Sequence, residues 1–303
     1  MGWSADNIPA LNGRVALVTG ANIGLGLETT RQLALKGARV VMACRNPERA
    51  AIARQQLIDD GCTGLEVLEL DLGDLQSVRR SVAVIQDRIP QLDLLVNNAG
   101  VMAPPRRLSP QGHEWQLAVN HLGHMALTEG LLPLMASSPD PRVVTVTSGA
   151  QYFGTIRWDD LNWSQRYDRY GAYAQSKLAN VMFALELDAR LREQNSPVRS
   201  LAAHPGLART NLQPTALASA GQPLEALGVR LMQPLFQSAA MGALPQLHAA
   251  TAATVQGGEH YGPDRFGGLQ GYPTRCRIAT TALDPSQRQR LWSVSQELID
   301  RVG

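Results

Sequence analysis

The stretch that decides the fold is RVALVTGANIGLGLETTRQLALK, residues 14–36. An apolar run leads into a loop with three glycines, and apolar residues then recur at helical spacing. In such a strand–loop–helix unit, Gly20 permits a tight turn, Gly24 lets the backbone approach a phosphate, and Gly26 lets the helix pack closely against the strand. The start of the helix adds free N–H groups. The unit predicts a pyrophosphate-binding turn, with a glycine-rich turn that binds nothing as the alternative.

The rest of the chain repeats this alternation of strand and helix. Apolar runs predict strands at 14–19, 38–44, 65–70, 92–96, 142–148 and 198–203, with a seventh near 259–261. Helical periodicity predicts helices at 25–36, 47–60, 75–88, 112–135 and 170–193. Alternation of this kind is typical of a parallel sheet that helices cover on both faces. We expect an α/β fold, with a single Rossmann-type doubly wound sheet of about seven strands in one domain, 1–303.

Three segments fall outside the alternation. Residues 1–12 form an N-terminal extension, and residues 264–303 form a C-terminal segment. Between them, residues 207–238 are apolar but broken by prolines and glycines, and they follow the sixth predicted strand. A long irregular insertion at this place is typical of a lid over a binding site, so we expect a substrate lid there. The alternative is that its apolar side chains complete the core beside the sheet.

Composition excludes several classes of protein. The 28 basic and 26 acidic residues give a net charge of +2, and no block of like charge marks a nucleic-acid partner. Cys44, Cys62 and Cys276 form no C-x-x-C pair, so neither a metal site nor a disulfide framework is expected. No run of about 20 uninterrupted apolar residues offers a membrane span, and the N-terminal residues lack the pattern of a signal peptide. We therefore expect a soluble, cytoplasmic protein.

The residues that follow the second predicted strand bear on nucleotide choice. Many dinucleotide folds place an acidic residue about 20 positions after the glycine loop, where it binds the ribose 2′-hydroxyl. Here that place is Cys44, and Arg45 comes next. A fixed cation suits a 2′-phosphate, which favours NADP(H) over NAD(H). The alternative is that Arg45 is a solvated side chain at a strand end.

A second constellation has the residue types needed for proton transfer. Tyr173 and Lys177 lie four positions apart in a predicted helix, so their side chains share a face. A neighbouring Lys⁺ favours the phenolate, so we expect it to lower the tyrosine pKa from its usual value of about 10. Ser148 ends a predicted strand, where its hydroxyl can donate to a carbonyl or alkoxide oxygen. The alternative for Ser148 is a bond to the local backbone.

Together these residues resemble the short-chain dehydrogenase/reductase superfamily, over the chain up to about Pro263. The matching motifs are the loop 19–26, Asp71-Leu72, Asn97-Asn98-Ala99-Gly100, Asn120, Ser148, the Tyr173–Lys177 pair, and Pro205-Gly206 with Thr210. Within the superfamily, residues 41–46, 158–162 and 172–180 resemble the branch of retinol dehydrogenase and protochlorophyllide reductase. The step of 25 residues from Ser148 to Tyr173 fits the same branch.

The resemblance implies an oxidoreductase that interconverts an aldehyde or ketone and an alcohol by hydride transfer. Arg45 favours NADP(H) as its cofactor, and the apolar residues of 207–238 favour an apolar or bulky substrate. It assigns catalysis to Asn120, Ser148, Tyr173 and Lys177, with Asn120 in a proton relay through water. Asp71 would contact the adenine, Lys177 also the nicotinamide ribose, and Thr210 the carboxamide. The full cofactor-binding set comprises Gly20, Asn22, Ile23, Gly24, Leu25, Gly26, Arg45, Asn46, Asp71, Leu72, Asn98, Ala99, Gly100, Tyr173, Lys177, Pro205, Gly206 and Thr210. Ile23 stands where the family often has a small or hydroxyl residue.

Two other functions fit part of the pattern. A sugar-nucleotide epimerase uses the same Ser, Tyr and Lys, but usually with the glycine spacing TGxxGxxG and a larger C-terminal domain. A non-enzymatic NADP-binding sensor typically lacks the Tyr or the Lys that this chain has. The resemblance also leaves a homodimer open, since the helices that begin at 112 and 170 pair in many family members.

Overall fold

The computed structural model describes residues 2–208 and 236–301. Its central sheet has the strand order β3-β2-β1-β4-β5-β6-β7-β8. The strands are β1 (Val15–Thr19), β2 (Arg39–Cys44), β3 (Leu65–Glu69), β4 (Leu94–Asn97), β5 (Arg142–Val146), β6 (Arg199–Ala203), β7 (His260–Arg265) and β8 (Gln270–Arg275). All neighbouring strands are parallel except β7 and β8, which are antiparallel. The predicted doubly wound α/β fold is confirmed.

Helices cover both faces of the sheet. They are α1 (Gly24–Leu35), α2 (Pro47–Asp59), α3 (Leu75–Arg88), α4 (Trp115–Leu117), α5 (Gly123–Met135), α6 (Arg169–Glu193), α7 (Ala239–Thr251), α8 (Thr280–Leu283) and α9 (Pro285–Asp300). A π-helical turn, Ala118–Leu122, joins α4 to α5. The helix predicted over 112–135 therefore begins at Trp115, and a wider π-helical turn lies near its start.

The core alternates along each strand, as the two-residue period of a β-strand requires. Leu17 and Leu95 face the helices α3, α5 and α6, where they join a buried cluster with Leu127. Val18 points to the opposite face and packs with Leu33 of α1 and Leu247 of α7. Because both faces of the central strands are buried, the strands read as nearly continuous apolar runs. This is the reason that the sequence revealed them.

Four elements of the C-terminal third were not predicted. The residues of β8 are half-exposed, glycine-containing and polar, so no apolar run marked this antiparallel edge strand. Helices α7, α8 and α9 also went unassigned. Of the expected lid, 207–238, residues 209–235 lie outside the described residues. The two described ends of this segment are hydrogen-bonded to each other, since the Gln237 N–H donates to the Leu207 carbonyl at 2.8 Å.

Helix α9 packs along α6 and the π-helical turn. The Trp292 ring stacks on Phe183 with centroids 5.8 Å apart, and the guanidinium of Arg190 lies 4.4 Å over the same indole. The Nε2 atom of His121 lies 2.8 Å from Ser295 Oγ. The homodimer through the helices at 112 and 170 stays a prediction. Within the described ranges, no helix is both long and apolar enough to cross a membrane.

Candidate active site

The site begins where β1 and β4 end side by side. The hydroxyl of Thr19 accepts hydrogen bonds from the backbone N–H groups of Asn98 and Ala99, each at 2.9 Å. The Asn98 amide donates in return to the Thr19 carbonyl at 2.8 Å. The end of β1 is therefore hydrogen-bonded to the end of β4. As a result, the predicted residues Asn98, Ala99 and Gly100 lie beside the glycine loop.

The glycine loop has the conformation that a phosphate-binding turn requires. Gly20 and Gly24 adopt φ values of 65° and 57°, in the left-handed region where glycine is favoured. A Cβ on Gly26 would collide with the carbonyl oxygen of Gly20, so only glycine lets α1 approach β1 this closely. The residue at the start of α1, Ile23, is 47% exposed and provides no side-chain cap. The helix start keeps its donors available, and this arrangement fits the pyrophosphate of a dinucleotide.

The residues after β2 divide into two roles. Arg45 is exposed directly beyond the buried Cys44. Asn46 caps α2, because its Oδ1 atom accepts from the Arg49 N–H at 2.8 Å. The structure thus gives Asn46 a role within the fold, and its contact with a cofactor stays a prediction. Alongside, Asp71 Oδ1 accepts from the Gly73 N–H at 2.9 Å, which shapes the turn after β3.

Tyr173, Ser148 and Lys177 converge at the ends of β5 and α6. The hydroxyl of Ser148 is hydrogen-bonded to that of Tyr173 and also accepts from the Ala150 N–H at 3.3 Å. The bond to the local backbone, given above as the alternative for Ser148, is therefore present, and donation by its hydroxyl to a substrate oxygen stays a prediction. The 3₁₀ turn Gly149–Phe153 begins directly after Ser148 and keeps this hydroxyl at the strand end.

Lys177 is buried behind the phenol. Its Nζ atom donates to the Val146 carbonyl at 3.2 Å and lies 5.8 Å from the centroid of the Tyr173 ring. Burial lowers the pKa of this ammonium to about 8. A Cβ on Gly100 would lie 3.4 Å from Nζ, so the glycine leaves room for the lysine side chain.

The pKa of Tyr173 corrects one sequence expectation. We expected Lys177 to lower it, whereas in the structure burial raises the pKa of the phenol and only the Ser148 hydrogen bond opposes this. The physical reason is that desolvation disfavours the phenolate. The lysine charge is directed to a backbone carbonyl rather than to the phenol oxygen.

Asn120 lies in the π-helical turn, a kind of helix irregularity that often marks functional sites. Its Oδ1 atom accepts from the Val101 N–H at 2.8 Å, and its Nδ2 atom donates to the Val101 carbonyl and to Ser176 Oγ. The side chain therefore links the loop after β4 to α6. Its backbone carbonyl has a second lone pair that could accept from water, and the relay itself stays a prediction.

Sequence reasoning missed His124. Its ring is buried, with Nε2 2.9 Å from Thr19 Oγ1 and Nδ1 3.0 Å from the Asn120 carbonyl. Burial lowers its pKa to about 3, so the imidazole is neutral. Because Thr19 Oγ1 already accepts two N–H groups, it donates to Nε2, and Nδ1–H donates to Asn120. The available signal was the spacing of four residues from Asn120 on one helix.

The remaining predicted residues follow β6. Gly206 has a φ of 64°, and its N–H donates to His204 Nδ1 at 3.3 Å. The Pro205 carbonyl accepts from Gln237 Nε2 at 2.8 Å. Thr210, predicted to bind the carboxamide, lies outside the described residues. The loop after β6 thus reaches the same edge of the sheet as the glycine loop and Ser148.

Comparison with known proteins identifies the family. The sequence model of short chain dehydrogenases matches residues 14–220. The chain belongs to the short chain dehydrogenase family. Retinol dehydrogenase 14 of Mus musculus is 37% identical, with 95% of this chain and 86% of that protein covered. Retinol dehydrogenase 12 of Homo sapiens is 39% identical, with coverages of 95% and 87%.

A solved structure is also similar over nearly the whole length. An uncharacterized protein from Mycobacterium paratuberculosis has a TM-score of 0.82 and 39% identity, covering 99% of this chain and 98% of that one. These likenesses confirm the resemblance to the retinol dehydrogenase branch that the motifs indicated. The family is one of oxidoreductases that act on carbonyl and alcohol groups.

Proposed function

We propose that this protein is an NADP(H)-dependent oxidoreductase that interconverts an apolar or bulky aldehyde or ketone and the corresponding alcohol. The observation that carries the proposal is that Ser148, Tyr173 and Lys177 lie together at one edge of the sheet. The glycine loop and the start of α1, which has no side-chain cap, lie at the same edge. The names of the curated relatives, retinol dehydrogenases 12 and 14, support a hydrophobic alcohol or aldehyde as substrate.

The residues divide the chemistry between them. A bound nicotinamide would supply or accept the hydride at the carbonyl carbon. Because burial raises its pKa, Tyr173 is protonated at neutral pH and can donate its proton to the substrate oxygen during reduction. The Ser148 hydroxyl donates to the same oxygen and stabilises the charge that develops there. Lys177, with a pKa of about 8, remains largely charged at pH 7 and would donate to the nicotinamide ribose of the bound cofactor.

The cofactor would lie along the loops after β1 to β4. The start of α1 would bind the pyrophosphate, Asp71 the adenine, and Arg45 the 2′-phosphate. A charge-assisted contact of about 1.5–3 kcal/mol would give NADPH an advantage of roughly tenfold to a hundredfold over NADH. Calorimetric titration of the wild type with each nucleotide tests the preference, and equal or reversed affinities would contradict it.

The substrate class is tested by a series of aldehydes of rising chain length, with NADPH oxidation as the readout. The segment 207–238 contains Leu212, Leu224, Leu227, Leu231 and Leu235, and apolar residues in this position suit an apolar substrate. Each buried methylene should improve kcat/KM by up to about 0.8 kcal/mol until the pocket is full. A flat series, or a preference for charged sugars or hydroxy acids, would contradict an apolar substrate.

A further inference from the structure

Arg107 lies in the segment after β4, and the backbone fixes its position. The Trp115 N–H donates to the Arg107 carbonyl at 3.1 Å, and Leu108 and Glu114 form an antiparallel bridge. At the tip, the Ser109 N–H donates to the His113 carbonyl at 2.7 Å. These bonds make a short hairpin, so Arg107 stands at its base rather than on an irregular loop.

The guanidinium of Arg107 is stacked on an aromatic ring. Its Cζ atom lies 3.4 Å from the centroid of the Trp115 ring. Trp115 is buried, and its outer edge contacts Gly73, where a Cβ would collide with the indole. Since Gly73 also donates to Asp71 Oδ1, the indole stands between Arg107 and the Asp71 turn. A stacked guanidinium loses little further freedom when it binds an anion.

Arg45 approaches the same place from β2. The Cys44 carbonyl accepts from the Leu70 N–H at 2.9 Å, so Arg45 lies next to the Asp71 turn in the sheet register. Burial is the largest influence that lowers the pKa of Arg107, the charge of Arg45 lowers it further, and Asp71 opposes both. Neither guanidinium forms an ion pair within residues 2–208 and 236–301. Arg107, Arg45 and Asp71 are therefore close enough for their charges to interact.

We propose that Arg107 is a second cofactor-specificity residue, which binds the 2′-phosphate of NADP(H) together with Arg45. This inference rests on the proposed function and assigns it one more residue. A phosphomonoester carries close to two negative charges and three acceptor oxygens, which two guanidinium groups match. NAD(H) has no group that would relieve the repulsion between the two cations. Arg45, which the sequence analysis identified, would then account for only part of the preference for NADP(H) over NAD(H).

The test uses two small probes that differ only in the 2′-phosphate, adenosine 2′,5′-bisphosphate and adenosine 5′-monophosphate, titrated calorimetrically into the full chain. Arg107→Gln should weaken binding of the bisphosphate by about tenfold and leave the monophosphate within about twofold. Arg107→Lys, which keeps the charge, should retain an intermediate affinity. Arg106→Gln is the matched control, because the Nε atom of Arg106 donates to the Trp163 carbonyl at 3.3 Å and its loss should change neither affinity.

Three outcomes would overturn the inference. If the wild type binds both probes equally, the NADP preference of the proposed function fails with it. If the wild type binds the bisphosphate more tightly than the monophosphate and Arg107→Gln shows the same preference, Arg107 does not bind the 2′-phosphate. The proposed function then stands. If Arg107→Gln weakens both probes alike, the side chain supports the adenosine site generally and does not bind the 2′-phosphate. Most of the Arg107 side chain is exposed, so the variant should fold, and its melting temperature is measured alongside to register any loss from the stack on Trp115.

Discussion

Helices α1 and α6 both begin at the carboxyl edge of the sheet, but they begin differently. Ile23 leaves the start of α1 without a side-chain cap. Asp168 caps α6, because its carboxylate accepts from the Tyr170 N–H at 3.1 Å. A side chain also caps the first turn of each of the other long helices that follow a loop and pack on the sheet, namely α2, α3 and α7. Helix α1 therefore leaves its first backbone donors available, whereas α6 satisfies its own start with a side chain.

The strongest test of this contrast is Gly26→Ala. Its Cβ would meet the Gly20 carbonyl and open the turn, so we expect NADPH affinity to fall by on the order of a hundredfold or more. Gly149→Ala is the control, because a Cβ there would meet nothing within 4 Å. Binding is measured by nucleotide fluorescence, with the melting temperature recorded for each variant. A Gly26→Ala protein that folds and binds NADPH normally would contradict the assignment of the turn.

Lys177→Met tests how much the buried charge of Lys177 on α6 lowers the free energy of unfolding. Lys177 has a pKa of about 8 in the folded protein, below the value of about 10.4 in an unfolded chain. The unfolded chain therefore binds the proton more tightly, and the charge destabilises the wild type fully below pH 8. We expect Lys177→Met to be more stable by roughly 2 kcal/mol at pH 7, with the difference shrinking towards pH 10.

Urea unfolding at both pH values measures this difference. The Val146 carbonyl keeps its bond from Asn180 Nδ2 at 3.0 Å, so the substitution leaves no buried acceptor unpaired. A variant that is less stable than the wild type at pH 7, or a difference that does not change with pH, would show that the lysine is not strained by burial.

Ile23→Asp gives α1 the cap that the other helices have. The backbone at this position is already extended, with φ −157° and ψ 150°, as a capping residue requires. The carboxylate should stabilise the fold by about 1 kcal/mol and, by repelling the pyrophosphate, weaken NADPH about tenfold. Ile23→Asn supplies a neutral cap for comparison. Unchanged NADPH affinity in the aspartate variant would place the pyrophosphate elsewhere.

Asp168→Ala removes the side-chain cap of α6, and of these substitutions it should have the smallest effect on NADPH affinity. Removing the cap should cost about 1 kcal/mol of stability. NADPH affinity should stay within about twofold, because the α6 start binds no phosphate in this account. Thermal unfolding and the same binding assay measure the two quantities. A loss of NADPH affinity comparable to that of Ile23→Asp would remove the distinction between the two helices.

The sequence predicted the elements whose signal is local. Strands β1, β2, β4, β5 and β6 are buried on both faces and therefore largely apolar, and Tyr173 and Lys177 are neighbours on one helix turn. What it missed depends on contacts distant in the chain. The spacing of four residues links His124 to Asn120, but its contact with Thr19 joins residues far apart in the chain. The stack of Arg107 on Trp115 likewise lies beside the Asp71 turn, which is distant in the sequence.

Misjudged details had similar causes. The sequence analysis did not assign the capping role of Asn46, because that role appears only once the bounds of the helix after it are known, and its contact with a cofactor stays a prediction. The expected effect of Lys177 on the phenol ignored burial, which only the packed structure reveals. Strand β8 pairs with β7 at an exposed edge, where polar residues and glycines carry no strand signal.

The central claim is that α1 binds the cofactor while Tyr173 of α6 transfers the proton, and Tyr173→Phe tests both halves in one protein. Single-turnover mixing with NADPH and the best aldehyde of the series gives the rate of hydride transfer, and titration gives the nucleotide affinity. We predict a rate lower by on the order of a thousandfold or more, with NADPH affinity within about twofold of the wild type. Hydride transfer within about tenfold of the wild-type rate would contradict the account.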